Sequence, residues 1–163
     1  MTIVTDSAKP AVTRRHPPNL LMRLVNPVMR AQLRRGKGGP SQHLMLLHFT
    51  GRKSGKQFDL PVAQQRIGDQ LCVFTNSSWR INFRGGTHIE VTLQGRRLPM
   101  HATLDEDADM VAAEYAKMIA SVGHKNARRL GITINVDRAP THAELADAVA
   151  RHGLSIIRLT STT

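Results

Sequence analysis

Between residues 43 and 104 the chain alternates apolar runs with short, glycine-bearing connections, a pattern that restricts this stretch to antiparallel β-structure. The runs at 43–50, 57–65, 71–76, 87–94 and 97–104 each read as a strand. Gly51 and Gly55 punctuate the first connection, Gly68-Asp69 the second and Gly95-Arg96 the last. Such turns join neighbouring strands, so the reading is an antiparallel meander that forms a barrel or a sandwich. The segment around Trp79, between the third and fourth runs, reads as one turn of helix.

The flanks read differently. Residues 1–18 are polar and proline-containing and are expected to be disordered. Leu20, Leu21, Leu24, Val25 and Val28 recur at helical spacing, which predicts an amphipathic helix over 19–34, kinked at Pro27. Such a helix packs on the core or on a second subunit, or lies on a membrane surface. Lys37-Gly38-Gly39-Pro40 reads as a linker. Further on, Thr103-Leu104-Asp105-Glu106 resembles a capping box, which makes Asp105 and Glu106 helix N-terminal charge rather than a catalytic pair. Met110, Val111, Tyr115, Met118, Ile119 and Val122 follow on one stripe. Thr141-His142-Ala143-Glu144 is a second capping box, opening a helix that runs to about Arg151 and ends at Gly153. Ser155 to Thr160 reads as a strand returning to the sheet. The expectation is an α+β, mainly β, single domain over 19–163.

Composition narrows the function classes. Hydrophobic residues make up 40% of the 163 and charged residues 21%, an ordinary soluble balance. Aromatics reach only 4%, which argues against a single-strand nucleic-acid binder built on stacking platforms. The net charge is +11, and before Gly51 eight basic residues stand against Asp6 alone. That excess suits a polyanionic ligand or an anionic membrane surface. Arg14-Arg15 could suggest a twin-arginine signal, but Arg23, Asn26 and Pro27 interrupt the segment that follows. No run reaches transmembrane length. The reading is cytoplasmic, with the basic helix available for peripheral contact with the inner membrane face. Cys72, the one cysteine, sits in the apolar run Leu71-Cys72-Val73-Phe74 and reads as a small buried hydrophobe. Of the eight histidines, none is spaced as a metal cluster; His43 and His48 are an odd number of positions apart and face opposite ways on one strand.

The chemistry concentrates in Thr50-Gly51-Arg52-Lys53-Ser54-Gly55-Lys56. Two glycines let such a turn direct backbone N–H groups into one concavity, and three cations surround it. It suits a phosphate or carboxylate. It lacks the glycine spacing of a P-loop or a dinucleotide fingerprint. No nucleophile elbow or Cys–His arrangement accompanies it, so if the chain is an enzyme its reactive chemistry belongs to a bound cofactor.

Leu46-Leu47-His48-Phe49-Thr50-Gly51-Arg52-Lys53-Ser54-Gly55-Lys56, then Pro61-Val62, Gly68-Asp69-Gln70-Leu71 and Trp79-x-x-Asn82-Phe83-Arg84 together resemble the deazaflavin-dependent nitroreductase family. The resemblance runs from about Leu44 to Thr103. It implies a split β-barrel, as in actinobacterial oxidoreductases that use coenzyme F-420. It implies hydride transfer from the reduced cofactor to a quinone, enone or nitroaromatic acceptor. By the same resemblance Arg52, Lys53, Ser54 and Gly55, with Thr50 and Lys56, would hold the phosphate and the acidic tail. Pro61 and Val62 would set backbone against the deazaflavin ring. Thr75, Asn76 and Ser77 would line the cofactor channel, and Trp79 and Asn82 form the family's W-x-x-N element. The chain departs from the family at Gln57-Phe58, where a basic or polar pair is frequent, and at Gly85-Gly86-Thr87. It also places Asn76-Ser77-Ser78 directly before Trp79 and has Tyr115 as its one tyrosine.

Other ligands fit the same residues. FMN offers a phosphate to the loop, and haem is a further split-barrel ligand. A non-catalytic membrane-surface module would need only the basic N-terminal third. A barrel with an appended helix also suits a homodimer. No side chain stands out in the sequence as the catalytic proton donor.

Overall fold

The computed structural model describes residues 10–14, 30–32, 34–36 and 43–162. Seven strands form one antiparallel sheet: β2 (Leu44–Thr50), β3 (Gln57–Ala63), β4 (Gln65–Ile67), β5 (Gln70–Thr75), β6 (Thr87–Leu93), β7 (Arg96–Asp105) and β9 (Ser155–Ser161). Their spatial order is β3-β2-β6-β7-β9-β5-β4. The edge strands β3 and β4 are separated in sequence by Gln64 alone, so the chain itself draws the two edges together and curls the sheet into a half-barrel. Gln64 also ties this seam to β2 through its N–H to the His43 carbonyl (2.8 Å) and its side-chain amide to the Leu44 carbonyl (2.6 Å). The architecture is an α+β split barrel dominated by β-structure.

The five strands expected from the sequence are present, but they do not form a simple meander. Hairpins join β2 to β3, β4 to β5 and β6 to β7; the last strand, β9, then inserts between β7 and β5. The run read as one strand over 57–65 divides at Gln64 into β3 and the start of β4. A separate two-stranded pair joins β1 (Val12–Arg14) to β8 (Ile132–Ile134), so residues 12–14 of the segment read as disordered are strand-paired.

Alternation along β2 places Met45, Leu47 and Phe49 inside the barrel with Val91, Val73, Ile157 and Leu159. A second core forms where helix α1 (Ala108–Val122) and helix α2 (His142–His152) cover the other side of β5 and β9, burying Cys72, Phe74, Tyr115, Leu145 and Ile156. The unbroken apolar run 71–74 follows from that arrangement: a strand covered on both faces has no polar side. Cys72 is fully buried there, and desolvation pushes its thiol up to about 11.

The second capping box forms as expected: Thr141 Oγ1 accepts from the Glu144 N–H (3.2 Å), and the Glu144 carboxylate accepts from the Thr141 N–H (2.9 Å). Gly153 terminates α2 at φ 67°. The first expected box does not form. Strand β7 continues through Thr103 to Asp105, and Asp107 caps α1 instead, accepting from the Asp109 N–H. Asp105 pairs with Arg158 and Glu106 with Arg84. Register explains the difference, because Thr103 and Asp105 are held by β9 opposite Arg158 and Ile156. Met110 also leaves the expected stripe and is exposed, while Ala112 takes its place in the core.

The helix expected over 19–34 lies largely outside the described residues; positions 30–32 and 34–35 are helical. Among the described residues no helix is long and apolar enough to cross a membrane.

Candidate active site

Sequence-distant pieces meet at the β2–β3 turn. Gly51 is buried, its N–H bonded to the Lys56 carbonyl (2.8 Å), and Gly55 closes the turn at φ 67° with its N–H on the Gly51 carbonyl (3.0 Å). A Cβ at Gly51 would come within 2.8 Å of Ser54 Oγ and 3.0 Å of the Phe58 ring, so a larger residue there would push those two side chains aside.

This loop docks on a 3-10 helix, Ser78–Phe83. The Arg52 N–H donates to Asn82 Oδ1 (2.9 Å), and the Arg52 guanidinium donates to the Arg84 carbonyl. Asn82 in turn donates from Nδ2 to the Trp79 carbonyl (2.8 Å). Asn82 therefore spans both elements, and the W-x-x-N spacing places its amide one turn after the carbonyl it binds. Arg84 extends the chain of contacts in a paired hydrogen bond to Glu106, whose carboxyl is held below its ordinary range mainly by that bond. Beneath the loop, Phe49 packs against Phe58 (5.3 Å between ring centroids), Trp79 (6.2 Å) and Phe83 (5.0 Å). Four of the chain's six aromatic residues thus gather at this end of the barrel.

Some loop donors remain uncommitted. Among the described residues, the ammonium groups of Lys53 and Lys56 have no partner and their side chains are exposed. The Lys53 and Ser54 backbone N–H groups likewise have no partner among the described residues. Space around the Gly55 Cα is open, with nothing within 4 Å of an added Cβ.

A groove of about 440 Å³ adjoins the loop. Thr50 and Gln57, opposite each other in the β2–β3 register, form both its end and the base of the loop. Its polar wall carries His48, Asp59, His88, Glu90 and Arg97. His48 is buried, with Nδ1 2.6 Å from Asp59 Oδ1 and Nε2 2.6 Å from Thr92 Oγ1. Arg34 reaches Asp59 Oδ2 (2.6 Å). The His48 hydrogen bond is the main cause holding the Asp59 carboxyl below its ordinary value, and Arg34 adds to it. Glu90 is paired with Arg97. Sequence patterning placed His48 on one strand face but did not expose this network, because Asp59 and Thr92 reach it only through strand register.

The remaining site residues named from the sequence are dispersed. Pro61 lies opposite Leu46 on β3, two residues beyond Asp59 on the same face, and Val62 packs inside the barrel. Thr75 and Asn76 are buried at the end of β5; Asn76 donates to the Gly131 carbonyl (2.9 Å), and Thr75 Oγ1 accepts from the Ser77 N–H (3.1 Å). These two anchor the turn that leads into the 3-10 helix. Tyr115 is fully buried against Phe74 (4.8 Å, edge to face), far from the groove in the second core, and burial pushes its hydroxyl well above its ordinary range.

The sequence profile described as F420H(2)-dependent quinone reductase matches residues 21–138. A search of curated proteins gives no match. That profile covers most of the chain, including the loop, the 3-10 helix and the whole groove, so the protein belongs to the F420H(2)-dependent quinone reductase family and is an oxidoreductase whose cofactor is coenzyme F-420.

Proposed function

We propose that this chain reduces quinone-type acceptors, with the cofactor's phosphate and acidic tail on the 51–56 loop and its ring towards β3. The observation that carries the assignment is the latch from Arg52 through Asn82 to Trp79, which holds the loop rigidly beside the groove. The donor set fits a polyanion: Lys53 and Lys56 supply uncommitted charge, the Lys53 and Ser54 N–H groups have no partner among the described residues, and Ser54 can donate its hydroxyl. Arg52 serves mainly as the clasp, since its N–H and guanidinium are already engaged.

When bound, the reduced deazaflavin supplies a hydride. The chain's own contribution is orientation and exclusion of water. Pro61 and Val62 offer backbone to the ring, while Thr50, Gln57 and Asn82 border the groove in which an acceptor would lie. Thr75 and Asn76 act at one remove, by fixing the approach to Trp79.

Titration with oxidised F-420, followed through Trp79 fluorescence with FMN in parallel, tests the reading. Saturable quenching by F-420 is expected, weakened in a Lys53→Ala/Lys56→Ala variant and reduced by salt. Unchanged affinity in that variant would remove the loop as the phosphate site, and quenching by FMN alone would replace the cofactor.

A further inference from the structure

Reduction of a quinone by hydride leaves an oxyanion that must take up a proton, and the groove holds few groups able to give one. His48 is buried with both ring nitrogens engaged, by Asp59 and by Thr92. Asp59 accepts from His48 on one oxygen and from Arg34 on the other, and its carboxyl is held in the ionised form. Glu90 and Arg97 are bound to each other. His88 differs from all of these: it lines the groove, it is exposed, and its ring nitrogens make no hydrogen bond among the described residues.

Its setting is built rather than incidental. His88 stands opposite His101 across the β6–β7 ladder, and the two rings meet edge to face with centroids 4.9 Å apart. His101 Nδ1 is buried without a partner among the described residues. Gly86 makes room for that ring: a Cβ there would lie 2.9 Å from His101 Nε2, and its φ of 81° independently favours glycine.

We propose that His88 is the proton donor to the reduced acceptor. The bound reduced cofactor would supply the hydride, with both electrons of its own C–H bond, leaving the acceptor as an oxyanion. An N–H bond of the His88 imidazolium then breaks as the O–H bond of the hydroquinone forms. The neutral ring recovers its proton from solvent through its exposed edge. Histidine suits the role because its ordinary titration range spans neutral pH. His101 stands opposite His88, and the other titratable and charged groups that line the groove with it are Arg97 from β7, Glu90 from its own strand, and Asp59 and His48 from β3 and β2.

This inference rests on the quinone-reductase reading, so its test carries one arm that needs no cofactor. In that arm menadione is added to the protein alone, and the His88 ring signals, assigned by their loss in His88→Gln, are followed by NMR. They are expected to shift, and a menadione complex that leaves them in place would overturn the proposal. In the second arm, steady-state turnover with reduced F-420 should fall as pH rises through the histidine range. His88→Gln should lower kcat on the order of a hundredfold and flatten that limb, with KM for F-420 unchanged. An unaltered limb in His88→Gln would overturn the proposal while leaving the quinone-reductase reading intact; a wild-type protein inactive with every quinone would sink that reading instead. Should His88→Gln fold poorly, His88→Asn offers the same readouts.

Discussion

Asn82 does more than any other single residue to make the site one object. Its amide accepts from Arg52 and donates to the Trp79 carbonyl, so truncation breaks two hydrogen bonds that join separate segments. Asn82→Ala should leave far-UV circular dichroism unchanged and weaken F-420 affinity roughly tenfold, the scale of one or two such bonds. Asp59 makes a prediction about pH. Its folded-state carboxyl is depressed, so the stabilisation it brings is present above the ordinary carboxylate range and is lost as pH falls through the depressed value. The melting temperature of Asp59→Asn should therefore lie below wild type at neutral pH, with the gap closing in acid; a gap independent of pH would count against the His48–Asp59–Arg34 network. Tyr115 gives a contrasting case. Its hydroxyl is buried without a partner among the described residues, so Tyr115→Phe should leave the melting temperature unchanged or raise it.

At the scale of elements, capping decides where helices begin. Thr141 and Glu144 satisfy each other's orphan N–H groups, and Arg138 also grips the Glu144 carboxylate (2.7 Å). Thr141→Ala should cost about 1 kcal/mol, a drop of a few degrees in thermal melting. The first helix shows where local pattern loses to tertiary pairing. Thr103 and Glu106 satisfy a capping-box spacing, yet β7 holds Thr103 in its ladder with β9 and Glu106 pairs with Arg84. Asp107, two residues beyond that ladder, then takes the cap. Likewise the 3-10 helix at Ser78–Phe83 was visible as a turn of helix, whereas its clasp on the 51–56 loop depends on two elements thirty residues apart approaching in space.

At the scale of the whole molecule, β9 is the keystone. It pairs with β7 on one side and β5 on the other, and Ile156 and Ile157 fill the two cores from its two faces. Deleting residues 155–163 should abolish the cooperative thermal transition, and a truncated chain that still melts cooperatively would show that the two halves of the sheet hold without it. Local periodicity and turn chemistry were enough to mark the runs that build the seven-stranded sheet, both C-terminal helices, the buried thiol and the cationic loop, because each depends on neighbours within a few residues, whereas the β1–β8 pair was not marked. The order of the sheet, the cap at Asp107, the His48–Asp59–Thr92 network and the position of His88 in the groove without a hydrogen-bond partner among the described residues were decided only by the tertiary structure. Each of these rests on register between strands distant in sequence, and no pattern within one strand states which partner it will meet.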